Sequence, residues 1–238
     1  VVVMPYSIFQ ESQSGQELTR SISTISVFHS LASSLSPLLG GIMAWMIHWR
    51  LGFAFAALIS FGLFLAVRQS VQTTAPSVRC LNSARQYLRD VLDLLNNKLF
   101  LVTLALLSIS SSLYYGFLAI VPGFFKENFI CGLILFALNA SWTVGNRQAA
   151  RCSEKFGFEL SMIIAILILS IGMLPALFYT GTGSWVFALM LLIPYAVGGG
   201  IMSPLIVSKA TTFKPGLSGS ASSLLFSVQV FVGSLTAW

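Results

Sequence analysis

The chain has 238 residues, of which 56% are hydrophobic and 8% charged; a soluble domain is roughly a quarter charged, so this one lacks the polar surface a water-soluble fold needs. Its formal net charge of +6 does not point to nucleic acid, because the basic residues fall between apolar stretches and do not form one basic and aromatic face. A mean hydropathy of +0.86, with charges gathered in short runs, describes membrane spans and loops.

Charges delimit the spans, since a charge near the bilayer centre costs about 3 kcal/mol on insertion scales. Val1 to Phe9 read as the tail of an earlier helix descending toward the cytoplasm. Arg20 to Arg50 encloses a first span near Ile22 to Ile47, and Arg50 to Arg68 encloses a second, Leu51 to Val67. Arg68 to Lys98 is the largest loop, amphipathic only in its second half. A third span covers Leu99 to Phe125 and a fourth Phe129 to Asn146, with a tight turn at Lys126, Glu127 and Asn128 between them. The charged loop Arg147 to Glu159 leads to a fifth span, Leu160 to Tyr179, after which TGTG at 180–183 reverses the chain. A sixth, Trp185 to Ser208, holds Pro194, Gly198, Gly199, Gly200 and Pro204, a composition that predicts a kink or local unwinding. The seventh runs from Leu217 to Trp238 without a flanking polar tail, so the chain reads as an internal section of a longer protein.

Of the 13 Lys and Arg residues, only Arg50 and Lys126 fall on one side of these spans; the other eleven, five of them within 68–98, fall on the opposite side. That bias assigns the long loop to the cytoplasm. Cys80 and Cys152 lie on the same reducing face and, with Cys131, show no metal spacing, so neither a disulfide nor a metal is expected. The sequence contains no GxxxxGK[ST] string for ATP and no HExxH, and it predicts neither an enzyme nor a cofactor site.

In the first span, SLSPLLGGIMAW sets Ala32, Ser36 and Gly40 four residues apart with Pro37 and Gly41 beside them. Small residues at that spacing allow close helix approach, either as a packing seam or as a hinge between halves of a transporter. Gly198, Gly199, Gly200 and Pro204 form either a gate or a fixed kink. His29 is the titratable side chain inside a span, either exchanging protons, as imidazole does near neutrality, or simply hydrogen-bonded to a neighbouring helix.

The strings SPLLGGIMAWMIHWRLGFAF, LILFALNASWTVGNRQAARCSEKFG and GGGIMSPLIVSKATTFKPGLSGSASSLLFSVQVFVGS resemble, in the same order, segments of the Bcr/CflA drug-resistance branch of the major facilitator superfamily. The first resembles the superfamily's antiporter motif, with Ser36 standing where the family has glycine. The resemblance implies an all-α integral membrane fold of about seven transmembrane helices, corresponding to helices five to eleven of twelve. Residues 1–67 would be the end of an amino-terminal bundle, 68–98 the cytoplasmic loop between bundles, and 99–238 the carboxyl-side bundle. It further implies a central cavity to which Tyr114, Tyr115, Phe117 and Tyr195 contribute aromatic surface and Asn139 and Gln229 polar anchors.

The function implied is secondary active transport, with proton-coupled efflux of small hydrophobic or cationic drug-like compounds by alternating access. The setting is the lipid bilayer of a plasma membrane, the inner membrane of a bacterium, and the acid that titrates the coupling proton lies in helices outside this section. A nutrient or sugar importer of the same superfamily, a seven-helix receptor and an inactive truncated product are the alternatives. Against a retinal-type receptor, every lysine is at a loop or span edge.

Overall fold

The computed structural model describes residues 15–46, 50–70, 84–124, 128–174, 185–213 and 217–236. Among them are seven helices: α1 (Gly15–Met46), α2 (Arg50–Ser70), α3 (Ala84–Leu95), α4 (Lys98–Phe124), α5 (Asn128–Met173), α6 (Trp185–Thr211) and α7 (Ser218–Thr236). The expected tail at 1–9, the residues 126 and 127 of the expected turn, TGTG at 180–183 and Trp238 lie outside the described residues.

Five of these helices, α1, α4, α5, α6 and α7, are long and apolar enough to cross a membrane. Helices suit that setting because a lipid core offers no partner for a free backbone amide or carbonyl. The 21 residues of α2 reach about 31 Å at ~1.5 Å per residue, close to the hydrocarbon thickness. Its Phe53, Leu58 and Phe61 are all exposed, which places an apolar surface where lipid is the solvent.

A straight helix of 46 residues, the length of α5, would run about 69 Å, more than twice the hydrocarbon core. It breaks at Gly157, whose φ of 76° and ψ of 172° are not helical. Positions on both sides of that break meet the same stretch of α6. A Cβ on Gly145 would come within 2.9 Å of the Gly200 Cα, while one on Gly198 would lie 2.5 Å from the Leu169 amide nitrogen. Arms 128–156 and 158–173 therefore run antiparallel, matching the expected fourth span and the fifth as far as the described residues reach; residues 175–179 of the fifth lie outside them. The expected loop Arg147 to Glu159 is corrected: it is helical on either side of Gly157. Charge marks where a chain leaves the membrane, yet Arg, Gln, Glu and Lys are good helix formers, so the helix continues into the polar region.

The backbone of Gly157 occupies a region essentially reserved for glycine, costing other residues about 1–3 kcal/mol. A Cβ there would meet nothing within 4 Å. Gly157→Ala is therefore expected to lower the melting temperature in detergent through backbone strain alone, and an unchanged melting temperature would contradict this backbone geometry.

The core of the carboxyl-side helices gathers Phe100, Leu104 and Leu107 of α4, Met162 and Ala165 of α5, Ile201, Leu205 and Ile206 of α6, and Leu225 of α7. Leu94 of the amphipathic α3 joins it, docking the second half of the long loop onto the bundle. Asn97 then starts α4 as an N-cap, its Oδ1 accepting the Leu99 and Phe100 amides at 2.9 and 3.3 Å.

No local unwinding interrupts the sixth span: α6 is helical through Pro194 and Pro204. The glycine run serves close approach here: side chains at 198, 199 and 200 would strike Leu169, Trp142 and Gly145 respectively. The tightest interface of the fold is thus backbone against backbone. The α1–α5 interface differs, being antiparallel and joined by side-chain hydrogen bonds from Thr143 and Asn146 to Ser26 and Ser30.

Candidate functional site

Where α1, α4, α5, α6 and α7 converge, they surround a cavity of about 130 Å³. Ser26, His29, Ser30 and Ser33 face it from α1; Ser111, Tyr114 and Tyr115 from α4; Asn139, Trp142 and Asn146 from α5; Ser203 from α6; Phe226 and Gln229 from α7. None of these residues is Asp, Glu, Lys or Arg.

Several of the polar groups are held by their neighbours. The Tyr114 hydroxyl donates to Asn139 Oδ1 at 2.9 Å, and Asn139 Nδ2 donates to the Leu135 carbonyl at 2.8 Å. Asn146 Nδ2 donates across the α1–α5 interface to the Ser26 carbonyl and to Ser30 Oγ, both at 3.0 Å. Thr143 Oγ1 also donates to Ser30 Oγ at 3.0 Å. Asn146 Oδ1 and Gln229 Oε1 are buried acceptors without a partner among the described residues. A buried unpaired acceptor is costly, so both favour a donor arriving from a bound molecule or water.

The aromatic wall is a chain of contacts. Ring centroids lie 5.5 Å apart for Tyr115 and Tyr114, 5.7 Å for Tyr114 and Trp142, and 6.2 Å for Trp142 and Tyr195, within the range at which aromatic pairs attract. Two glycines seat these rings. A Cβ at Gly199 would come within 2.6 Å of the Trp142 indole, and one at Gly233 would overlap the Tyr115 ring.

The structure brings Tyr114, Tyr115, Asn139, Gln229 and His29 to one cavity. It sets the other two expected cavity residues beside it: Phe117 packs against the cluster of Leu138, Leu192, Tyr195 and Ala196, and Tyr195 is 1% exposed within that cluster. The Tyr195 hydroxyl donates to the Ser110 carbonyl, so Tyr195 supports Trp142 from behind. In α1, Ala32, Ser36 and Gly40 are exposed, and a Cβ on Gly40 would meet nothing within 4 Å. The close approach expected of that stripe falls on the adjacent face, where a Cβ on Gly132 of α5 would come within 2.9 Å of the Pro37 carbonyl and 3.6 Å of the Gly41 Cα. The proline's small ring and the glycine clear that face, whereas the Ala32 face has no helix opposite it among the described residues.

Sequence reasoning missed Trp142, Asn146, Phe226, Ser203, Ser111 and the α1 serines. A signal existed for most of them. Ser26, His29, Ser30 and Ser33 recur at helical spacing on one face of an otherwise apolar span, as do Asn139, Trp142 and Asn146.

Family comparison matches residues 2–237 to the Major Facilitator Superfamily, while no curated protein matches the chain. A match over nearly the whole length agrees with antiparallel apolar helices around a central cavity, and it removes the seven-helix receptor from consideration. The protein belongs to the major facilitator superfamily, whose members are multi-pass membrane proteins and secondary transporters.

Proposed function

We propose that the protein works as a proton-coupled exporter of the Bcr/CflA kind, carrying small hydrophobic or cationic drug-like compounds out across a plasma membrane, in a bacterium the inner membrane. The observation that carries this reading is the Tyr114, Tyr115 and Trp142 wall flanked by Asn139 and Gln229. Aromatic faces attract organic cations and flat rings, and a few amide anchors orient them.

At about 130 Å³ the cavity is smaller than the ~300 Å³ at which drug-sized pockets begin. Admission of cargo therefore requires a wall to move. The α1–α5 interface supplies one, because its side-chain hydrogen bonds are each worth about 0.6 kcal/mol in a membrane and can be exchanged. The bundle at 99–238 then moves against the helices at 1–67, with 68–98 as the connection. Gly198, Gly199 and Gly200 serve as fixed packing elements in this cycle. His29, on the cavity side of α1, relays the coupling proton between the cavity and the acid that lies in helices outside this section.

A second reading, uptake of a neutral nutrient such as a sugar, is favoured by the hydroxyls of Ser26, Ser30, Ser33, Ser111 and Ser203 around the same cavity. Ethidium efflux and radiolabelled hexose uptake, measured in energised cells expressing the protein, separate the two. Export of dye that a protonophore abolishes, reduced about tenfold by Trp142→Ala on the scale of a lost aromatic contact, is the expected result; His29→Gln is expected to leave dye binding intact while removing proton dependence. Hexose uptake without dye export would replace the exporter reading, and neither activity would leave the inactive product.

A further inference from the structure

A second recess of about 410 Å³ lies between α1 and α5, near the ends that the Lys and Arg bias assigns to the cytoplasm. Arg20 reaches it from α1, and Arg147 and Arg151 reach it one turn apart from α5. None of the three makes an ion pair among the described residues. Glu154 also lines the recess, leaving an excess of two positive charges. At its wall Ser23 is 3% exposed and its hydroxyl has no hydrogen-bond partner among the described residues. Guanidinium forks and a waiting hydroxyl are the donor set that phosphate oxygens require.

The recess continues into an apolar track. Phe28 lines it and, with Leu31, Leu35 and Leu39, forms an exposed stripe along one face of α1. From Phe28 to Leu39 the helix rises about 16 Å at ~1.5 Å per residue, close to the ~15 Å depth of one leaflet. A cationic recess at one end of a leaflet-long apolar stripe matches one amphiphile in both parts.

We propose that this recess and stripe bind an anionic phospholipid, its phosphate between Arg20, Arg147 and Arg151 and an acyl chain along Phe28 to Leu39. A free phosphate would use the recess alone. A zwitterionic lipid carries its own cation, which the arginines repel. The bound lipid bridges α1 and α5 at the interface whose separation admits cargo, although lipid binding itself does not depend on the nature of that cargo.

Native mass spectrometry of the purified full chain, offered phosphatidylglycerol and phosphatidylcholine at equal concentration, tests the proposal. The wild type is expected to retain phosphatidylglycerol preferentially. Arg20→Gln with Arg147→Gln is expected to cut that preference about thirtyfold, the scale on which two basic residues draw anionic lipid, while Arg20→Lys with Arg147→Lys retains most of it. The lysine pair also shows that any loss is not a failure to fold. Arg89→Gln, on α3, is expected to change nothing. Equal retention of the two lipids overturns the proposal, as does an equal loss in Arg89→Gln. Displacement of the lipid by excess inorganic phosphate would show a simple anion site and overturn it too.

Discussion

Gly200→Val is expected to deprive the protein of its folded state. A Cβ at this position would overlap the Trp142 carbonyl oxygen and stand 3.0 Å from the Gly145 Cα and 3.1 Å from the Asn146 amide nitrogen. Overpacking among side chains costs about 1–3 kcal/mol because rotamers can adjust. Here the neighbours are backbone, and a Cβ on Gly145 would in turn overlap the Val197 carbonyl of α6, so neither helix can move away without breaking the interface. We expect a loss above ~3 kcal/mol, seen as aggregation on size-exclusion chromatography and disappearance of the melting transition in detergent. Gly62→Val on α2, where a Cβ meets nothing within 4 Å, is the matched control and is expected to behave as wild type. A monodisperse Gly200→Val protein with an unshifted transition would mean that α5 and α6 are not packed as closely as described.

The second large effect is expected from Asn146→Leu, and it falls on conformation more than on folding. Asn146 is 2% exposed and holds α1 through two hydrogen bonds. Removing both forfeits about 1–2 kcal/mol at membrane values, which is roughly a tenfold shift in an equilibrium between closed and separated arrangements. The fold is retained because Leu18 and Ile22 of α1 still pack against Val207. A Ser33→Cys reporter on the cavity wall is expected to react with a membrane-impermeant maleimide about tenfold faster when combined with Asn146→Leu, while the melting temperature falls only slightly. Unaltered labelling would show that Asn146 does not hold the two helices together.

The sequence carried the architecture to a considerable depth and the site only in part. Span positions were legible where charge meets a helix end, because a charge in hydrocarbon is so unfavourable that Arg50, Arg68 and Lys98 act as boundary marks, whereas Arg20 lies inside α1, which begins at Gly15. Whether a polar boundary is a loop or a continuing helix was not legible from charge, and the stretch from Arg147 to Gly157 shows why: its residues favour helix as well as water. Tyr114, Tyr115, Asn139 and Gln229 were found through family resemblance, which assigns helices to the cavity without fixing the rotation of each helix about its axis. That rotation sets Phe117 and Tyr195 in the cluster beside the cavity and turns Ala32, Ser36 and Gly40 to an exposed face. It is set by which backbones approach most closely, here Gly145 with Gly200 and Gly132 with Pro37, and such pairings join residues distant in sequence. The serine row of α1 and the Asn139, Trp142 and Asn146 row of α5 could have been read by looking for polar residues, and not only apolar ones, at helical period.

Trp142, held between Tyr114 and Tyr195 on the cavity wall, gives the protein an internal optical probe. Both tyrosines emit where indole absorbs, at centroid separations of 5.7 and 6.2 Å, so light absorbed by either reaches Trp142 almost without loss. The other tryptophans, Trp45, Trp49, Trp185 and Trp238, fall at or near the ends of the sequence spans, where emission reports the interface. A flat aromatic guest in the cavity would lie against Trp142 and darken it selectively. The occupied fraction can thus be titrated from the emission spectrum of the unlabelled protein, independently of any transport assay.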